Sequence, residues 1–290
     1  MEIFVQILFN SMEMGGVYAL ATMGVILIFR TSSAFNYAQG VIAMFCAFIA
    51  ANFLQQTGMN VFAATGMGLA AALAVGIVID RLVISRTINL HSVSKQIITL
   101  GLVIVFLGLA PMFFGVNPLQ YDRFAHGAVT FLGANITSSA IINIFTGIFI
   151  MTGLFLIIQK TKWGLAVRAT ASNGVVARMM GIPTPVVTMG AWAIAAALGT
   201  LSAIMIAPTT MVGVMMMDSI QITALLACVL GGLGTFHGPV IAAYIISFSR
   251  NFVAFYISSV WAEAIVYILI LVVLLFAPNG IFGKKVVKKV

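Results

Sequence analysis

Apolar runs of close to span length, cut by short polar or charged stretches, repeat along the chain and leave little else. They cover 3–29, 36–54, 61–80, 96–115, 138–159, 186–207, 219–236, 238–257 and 261–277. A helix needs roughly 20 apolar residues to cross the hydrocarbon of a bilayer, and each run is read as one such helix. The pattern therefore predicts an all-α fold, a polytopic integral membrane helical bundle of about 8–9 transmembrane helices. Residues 1–290 form a single transmembrane domain in this reading.

The connections differ in kind. RTSSAFNYAQG at 30–40 reads either as a tight hairpin or as a helix broken inside the membrane. The stretch 81–96 (RLVISRTINLHSVSKQ) carries His91. The stretch 160–185 (KTKWGLAVRATASNGVVARMMGIPTP) sets Leu165, Val175, Val176, Met179 and Met180 as apolar positions of a short amphipathic helix near 165–182. Gly181, Pro183 and Pro185 end it, since glycine accepts the left-handed cap and proline cannot continue the ladder. Such a helix is either an interfacial linker or a docking element. The loop 116–137 has turn residues and few evident anchors; it packs over a substrate entrance or simply joins two spans.

Composition sharpens this picture. The 290 residues are 62% hydrophobic and 7% charged, against roughly 25% charged in soluble domains, which excludes a water-soluble enzyme. The net charge of +8 does not signal nucleic-acid binding, which needs a clustered basic face. Here the cations sit at the ends of apolar runs, and the one dense cluster is Lys284, Lys285, Lys288 and Lys289, suited to anionic lipid headgroups. With the N-terminus outside and the C-terminus cytoplasmic, all of the fourteen Lys and Arg except Arg123 and Arg250 fall on the inner side, as the positive-inside rule requires. Glu2 and Glu13 precede the first basic residue, Arg30, the wrong order for a cleavable signal peptide. The first run is therefore read as a retained span.

Ionisable residues at membrane depth are costly and hence functional candidates. Glu13 stands beside Gly15, Gly16 and Tyr18, where small residues admit a second helix; the alternative places it in the outer headgroup layer. Asp218 and Glu263 fall at the outer ends of spans and are expected to be solvated, and Arg250 is expected to snorkel outward. In 32–40 hydrogen-bonding side chains lie packed between two apolar runs, a pattern suited to a discontinuous helix facing a substrate, with Asn36 and Gln39 as ligand contacts. The alternative is a polar surface turn.

Other motifs narrow the options. GGLGTFHGP at 231–239 lacks the preceding strand and the third glycine of a dinucleotide site, and reads as a helix–helix corner. His91, His126 and His237 are too scattered for a metal site, and Cys46 and Cys228 lie inside apolar runs, away from any disulfide framework. The phosphate-binding loop G-x-x-x-x-G-K-[ST] is missing, which removes ATP hydrolysis by that route from this chain.

Four stretches together, GGVYALATMGVILIFRTSSAFNYAQG at 15–40, WGLAVRATASNGVVARMMGI at 163–182, VLGGLGTFHGPVIAAY at 229–244 and LILVVLLFAPNGIFG at 269–283, resemble the LivH-type permeases of branched-chain amino-acid ABC importers. The resemblance runs along nearly the whole chain. It implies a permease of the bacterial plasma (inner) membrane that works by alternating access. Its implied partners are a LivM-like second permease, two cytoplasmic ATPases that hold the ATP and Mg, and a periplasmic solute-binding protein. It also implies a coupling helix at 168–181 that docks on an ATPase, with Arg168, Asn173 and Gly181 at motif positions and Arg178 as a further coupling residue. The substrate path it suggests includes Glu13, Tyr18, Asn36, Gln39, Gly40 and Thr223. Many family members carry His and Glu where this chain has Gln39 and Val41, so the substrate is either a branched-chain or related hydrophobic amino acid, or an amide, urea or a small carboxylate. An ion-coupled carrier working alone is a further alternative.

Overall fold

In hydrocarbon the backbone must satisfy its own N–H and C=O groups, which leaves the helix as the form open to each apolar run. The computed structural model describes residues 2–58, 60–87, 91–131 and 134–283. Its elements in chain order are α1 (Glu2–Ser32), α2 (Gln39–Thr57), α3 (Val61–Leu82), α4 (Ser92–Phe114), β1 (Ala128–Phe131), β2 (Ala134–Thr137), α5 (Ser138–Lys160), α6 (Lys162–Ser172), α7 (Gly174–Met179), α8 (Thr184–Thr210), α9 (Asp218–Gly231), α10 (His237–Tyr256) and α11 (Ala262–Phe276). A 3-10 turn, Ile84–Thr87, extends α3. The cluster Lys284, Lys285, Lys288 and Lys289 lies outside the described residues.

Among the described residues seven helices, α1 to α5, α8 and α10, are long and apolar enough to cross a membrane. The runs at 219–236 and 261–277 form shorter helices of 14 and 15 residues. At 1.5 Å per residue these reach only about 21 and 23 Å, less than the hydrocarbon thickness of about 30 Å. Gly232, with φ +94°, stops α9 before the corner.

Packing follows from which helices are apolar all round. The second half of α1, from Gly15 to Ile28, is buried without interruption, and α1 runs through the centre against α5, α8, α9 and α10. The alanines of α8 make it a second inner helix, flanked by α1, α2 and α3. Outer helices leave large apolar side chains uncovered, among them Ile104, Phe149 and Leu275, which hydrocarbon accommodates.

Small residues set the closest approach, as expected where van der Waals packing drives helix association. A Cβ on Gly76 of α3 would lie 2.7 Å from both the Ala193 Cα and the Trp192 carbonyl of α8. Gly76→Leu is expected to lower the thermal unfolding midpoint of the purified chain, by an overpacking cost of about 1–3 kcal/mol. Gly101→Leu, where nothing lies within 4 Å of an added Cβ, is expected to leave the midpoint unchanged.

The loop 116–137 is better anchored than its sequence suggested. Its β1–β2 hairpin pairs antiparallel with Ala128 opposite Thr137. Leu119 bridges Val212, and Gln55 donates to the Gln120 carbonyl at 3.2 Å. The buried Tyr121 hydroxyl lies 2.9 Å from Thr65 Oγ1, and burial raises its pKa. These contacts are long-range and leave no local composition signal.

Candidate functional site

The α1–α2 connection is a true break inside the bundle. Ser33 takes a left-handed conformation (φ 55°) after α1, and α2 starts at Gln39 with both Asn36 and Gln39 fully buried. Asn36 Oδ1 accepts from the Ala38 amide at 3.0 Å, the local bond that favours asparagine in turns. Asn36 Nδ2 donates to Gln39 Oε1 at 3.2 Å, and Gln39 Nε2 donates to the Ala195 carbonyl in α8. From α9, Gln221 Nε2 donates to the Asn36 carbonyl at 3.2 Å. Gly40 fits because an added Cβ would stand 3.1 Å from Gln221 Cβ.

Two glycines make the slot for Gln39. A Cβ on Gly24 of α1 or Gly199 of α8 would lie 2.6 or 2.8 Å from Gln39 Nε2. The Asn36 and Gln39 side chains thus tie the start of α2 to the preceding turn and to α8, and the Gln221 amide ties α9 to the Asn36 main chain. In this conformation both side chains, expected as ligand contacts, have hydrogen-bond partners within the bundle.

A second polar group contains Tyr18 and Thr223. Arg250 Nη1 in α10 donates to the buried Tyr18 hydroxyl. Its Nη2 pairs with Glu263 at 3.5 Å, the two side chains 33% and 38% exposed. Tyr267 donates to Glu263 Oε1 at 2.8 Å and lies 3.0 Å from Thr223 Oγ1. Arg250 therefore pairs with neighbouring helices where outward snorkelling was expected, and Glu263, expected to be solvated, is partly exposed and also hydrogen-bonded at a helix junction. The reason is mutual: each satisfies a charge that hydrocarbon would penalise. α9 carries Gln221 to the first group and Thr223 to the second.

Glu13 stands apart from both. It accepts from Asn143 Nδ2 of α5 at 2.8 Å, beside a cavity of about 60 Å³ that Arg123 also lines. The residues sequence reasoning passed over are Gln221, Asn143 and Tyr267, along with Asp80, which is 1% exposed with Oδ1 unpartnered. Asp80 had a signal, an acid at the end of an apolar run beside Arg81. The others are ordinary polar residues whose partners are distant in sequence.

The 160–185 connection forms two helices in place of one. Asn173 is extended between α6 and α7 and accepts from the Val175 and Val176 amides at 3.0 and 3.1 Å. Its cap starts a new helix where a continuous one was expected. Gly181 takes φ +83° and ends α7, as its sequence position predicts. Arg178 Nε donates to Thr184 Oγ1 at 3.3 Å, and Arg168 Nη2 donates to the Gln159 carbonyl at 3.3 Å. Exposed Leu165, Val175, Val176, Met179 and Met180 form an uncovered apolar edge. Elsewhere His237 packs edge-on to Phe282, and no group of three metal-ligating side chains occurs among the described residues.

Comparison with known proteins fits this architecture. The chain is 26% identical over 303 residues to the Pseudomonas aeruginosa high-affinity branched-chain amino acid transport system permease protein BraD, covering 99% of this chain and 98% of that protein. It is 25% identical to LivH of Escherichia coli (strain K12), with the same coverages of 99% and 98%. It is also 25% identical to the probable LivH of Methanocaldococcus jannaschii, covering 91% and 88%. In fold it resembles a chain of PsaBC from Streptococcus pneumoniae, solved in complex with Fab, with TM-score 0.50, 14% identity and coverages of 96% and 93%. The seven apolar helices and these relatives make it a multi-pass protein of the bacterial inner membrane. Residues 7–277 match the family described as branched-chain amino acid transport system / permease component, and the chain belongs to that family of membrane permeases.

Proposed function

We propose that the chain is one membrane-spanning half of an ATP-driven importer of branched-chain or related hydrophobic amino acids. The observation that carries this reading is the family match across 7–277. A LivM-like second permease completes the passage, two cytoplasmic ATPases hold ATP and Mg, and a periplasmic binding protein delivers the substrate. The N-terminus lies outside and the C-terminus inside.

The geometry supports a mechanism for the coupling. The exposed apolar edge of α6 and α7 offers a surface to the ATPase, and Gly181 and Pro183 lead straight into α8. α8 carries Ala195, the partner of Gln39. A push on α7 therefore moves a helix whose middle is hydrogen-bonded to Gln39, the first residue after the break at 33–38. Rocking of this kind converts an outward-open into an inward-open passage. Asn36, Gln39 and Gly40 act as the hinge of the path, while Tyr18 and Thr223, tied to the Arg250–Glu263 pair, border it. Glu13 serves the outer end.

The uncharged Gln39 and Val41 favour one second reading, the same architecture importing amides, urea or small carboxylates. Uptake by the complete complex in proteoliposomes separates the two. ATP-dependent leucine uptake that isoleucine and valine compete is expected. Urea or amide uptake without leucine uptake selects the second reading, and leucine transport by this chain without ATP overturns the importer mechanism.

A further inference from the structure

Toward the start of α1, away from the break, a cavity of about 60 Å³ lies between Glu13, the loop 116–137, the start of α5 and the end of α8. Glu13 and Arg123 both line it, yet they form no ion pair, the one such pair among the described residues being Arg250–Glu263. Asn143 holds Glu13 Oε1 at 2.8 Å, while Oε2 has no partner among the described residues and is not sealed off from the surface. The exposed Arg123 guanidinium is also without a partner, its neighbour Asp122 included. A free carboxylate oxygen and a free guanidinium thus border one small space without meeting.

The start of α5 supplies a second, independent observation. Thr137 occupies the N-cap of this 23-residue helix and its side chain makes no cap hydrogen bond, although the first N–H groups of a helix have no partner within it and a threonine there commonly accepts from them. Ser139, 6% exposed, has no partner for its hydroxyl among the described residues. Its Oγ keeps accessible surface, unlike the sealed and unpartnered Oδ1 of Asn143, and Ser139 and Thr137 both line the cavity. A helix N-terminus carries partial positive charge. One wall of the cavity therefore offers donors and positive potential, and Glu13 offers an acceptor.

We propose that the cavity receives the charged end of an α-amino acid, its ammonium on Glu13 Oε2 and its carboxylate on Arg123, Ser139 and the first turn of α5. The assignment rests on the amino-acid reading of the transported substrate and adds the residues that recognise it. A ligand with one charge answers Glu13 or Arg123 and leaves the other bare, and an uncharged amide or urea answers neither. A zwitterion whose two charged groups sit on one carbon answers both, through the charge-assisted hydrogen bonds that are the shortest and strongest. The space equals a pair of water volumes of about 30 Å³ each, enough for ammonium and carboxylate but not for an aliphatic side chain, which stays outside. Leucine and valine are therefore held alike at this point, and the hydrophobic part of the molecule is selected elsewhere.

The test uses the full chain in phosphatidylcholine nanodiscs, unfolded thermally at matched ionic strength with leucine, with leucinamide, which lacks the carboxylate, or with 4-methylpentanoate, which lacks the ammonium. A saturable rise in midpoint with leucine is expected, as for any ligand that binds the folded state alone, with a half-saturating concentration about tenfold below that of either analogue. Glu13→Gln, whose amide oxygen can still accept from Asn143, should erase the preference for leucine over 4-methylpentanoate. Arg123→Met should erase the preference over leucinamide. Ser139→Ala changes no charge and guards against misfolding of those variants; it should weaken leucine and 4-methylpentanoate alike and leave leucinamide unchanged. Lys95→Met, which does not line the cavity, should change none of these responses. No saturable response to leucine, equal responses to the three ligands, or a preference over 4-methylpentanoate that survives Glu13→Gln overturns the site. ATP-driven leucine uptake by the complete complex alongside such a result removes the site and keeps the importer, whereas absent uptake removes the importer whatever the discs show.

Discussion

Gln39→Glu is expected to destabilise the chain strongly and to abolish its contribution to transport. The glutamine meets a donor on one side, Asn36 Nδ2, and an acceptor on the other, the Ala195 carbonyl. A carboxylate keeps the first bond and sets oxygen against oxygen at the second. Rotation offers no escape, because Gly24 and Gly199 shape the slot around Nε2. A charge at membrane depth adds about 2.5–3.5 kcal/mol on insertion scales, a large share of the usual 5–15 kcal/mol of total stability. Thermal unfolding of purified variants measures it, with Gln39→Met, which removes bonds without adding charge, expected to fall between wild type and Gln39→Glu. Equal midpoints for Gln39→Glu and wild type would contradict the account of the break.

Gly181→Pro is expected to uncouple ATP hydrolysis from transport while the chain still inserts into the membrane. Proline requires φ near −65°, and position 181 has φ +83°. It also removes the Gly181 amide, which donates to the Arg178 carbonyl at 3.0 Å. The cap of α7 is lost, and with it the fixed path from the exposed methionines to α8. Stimulated ATPase activity of the reconstituted complex should drop to its basal level, and retained stimulation would remove 165–182 from the coupling role. Asn173→Ala, which loses the cap on Val175 and Val176, should give a smaller loss in the same assay, in line with a capping contribution of about 1 kcal/mol.

The break at 33–38 shows how far local information reaches. The run of polar residues in 32–40 already pointed to a discontinuity, and Asn36 and Gln39 stood out there. What they bond to did not: Ala195 and Gln221 are far along the chain and lie on helices whose apolar surfaces give no direction. The same holds for Arg250. Its charge inside an apolar run was visible, but its partners Tyr18 and Glu263 sit on two other helices, so the sequence pointed to outward snorkelling.

The 160–185 segment divides in the same way. Its length, its apolar edge and its glycine stop were legible, because capping depends on neighbours within a turn. Asn173 split the helix in two through a cap of equally short range, and a reading of apolar spacing alone overlooked it. In loop 116–137 the anchors at Tyr121 and Leu119 reach to Thr65 and Val212, beyond any local pattern.

The sequence by itself determined a membrane-spanning helical protein, the polar interruption at 30–40, the amphipathic connection at 160–185 and the family to which it is similar, because run length and composition act residue by residue. Only the tertiary structure decided which polar groups meet: the glutamine in its glycine slot, the Arg250–Glu263 pair under Tyr18, and the cavity that Glu13 and Arg123 share. In a chain this apolar, burial does not distinguish one helix face from another, and pairings are chosen by shape and by the few polar atoms that must find partners.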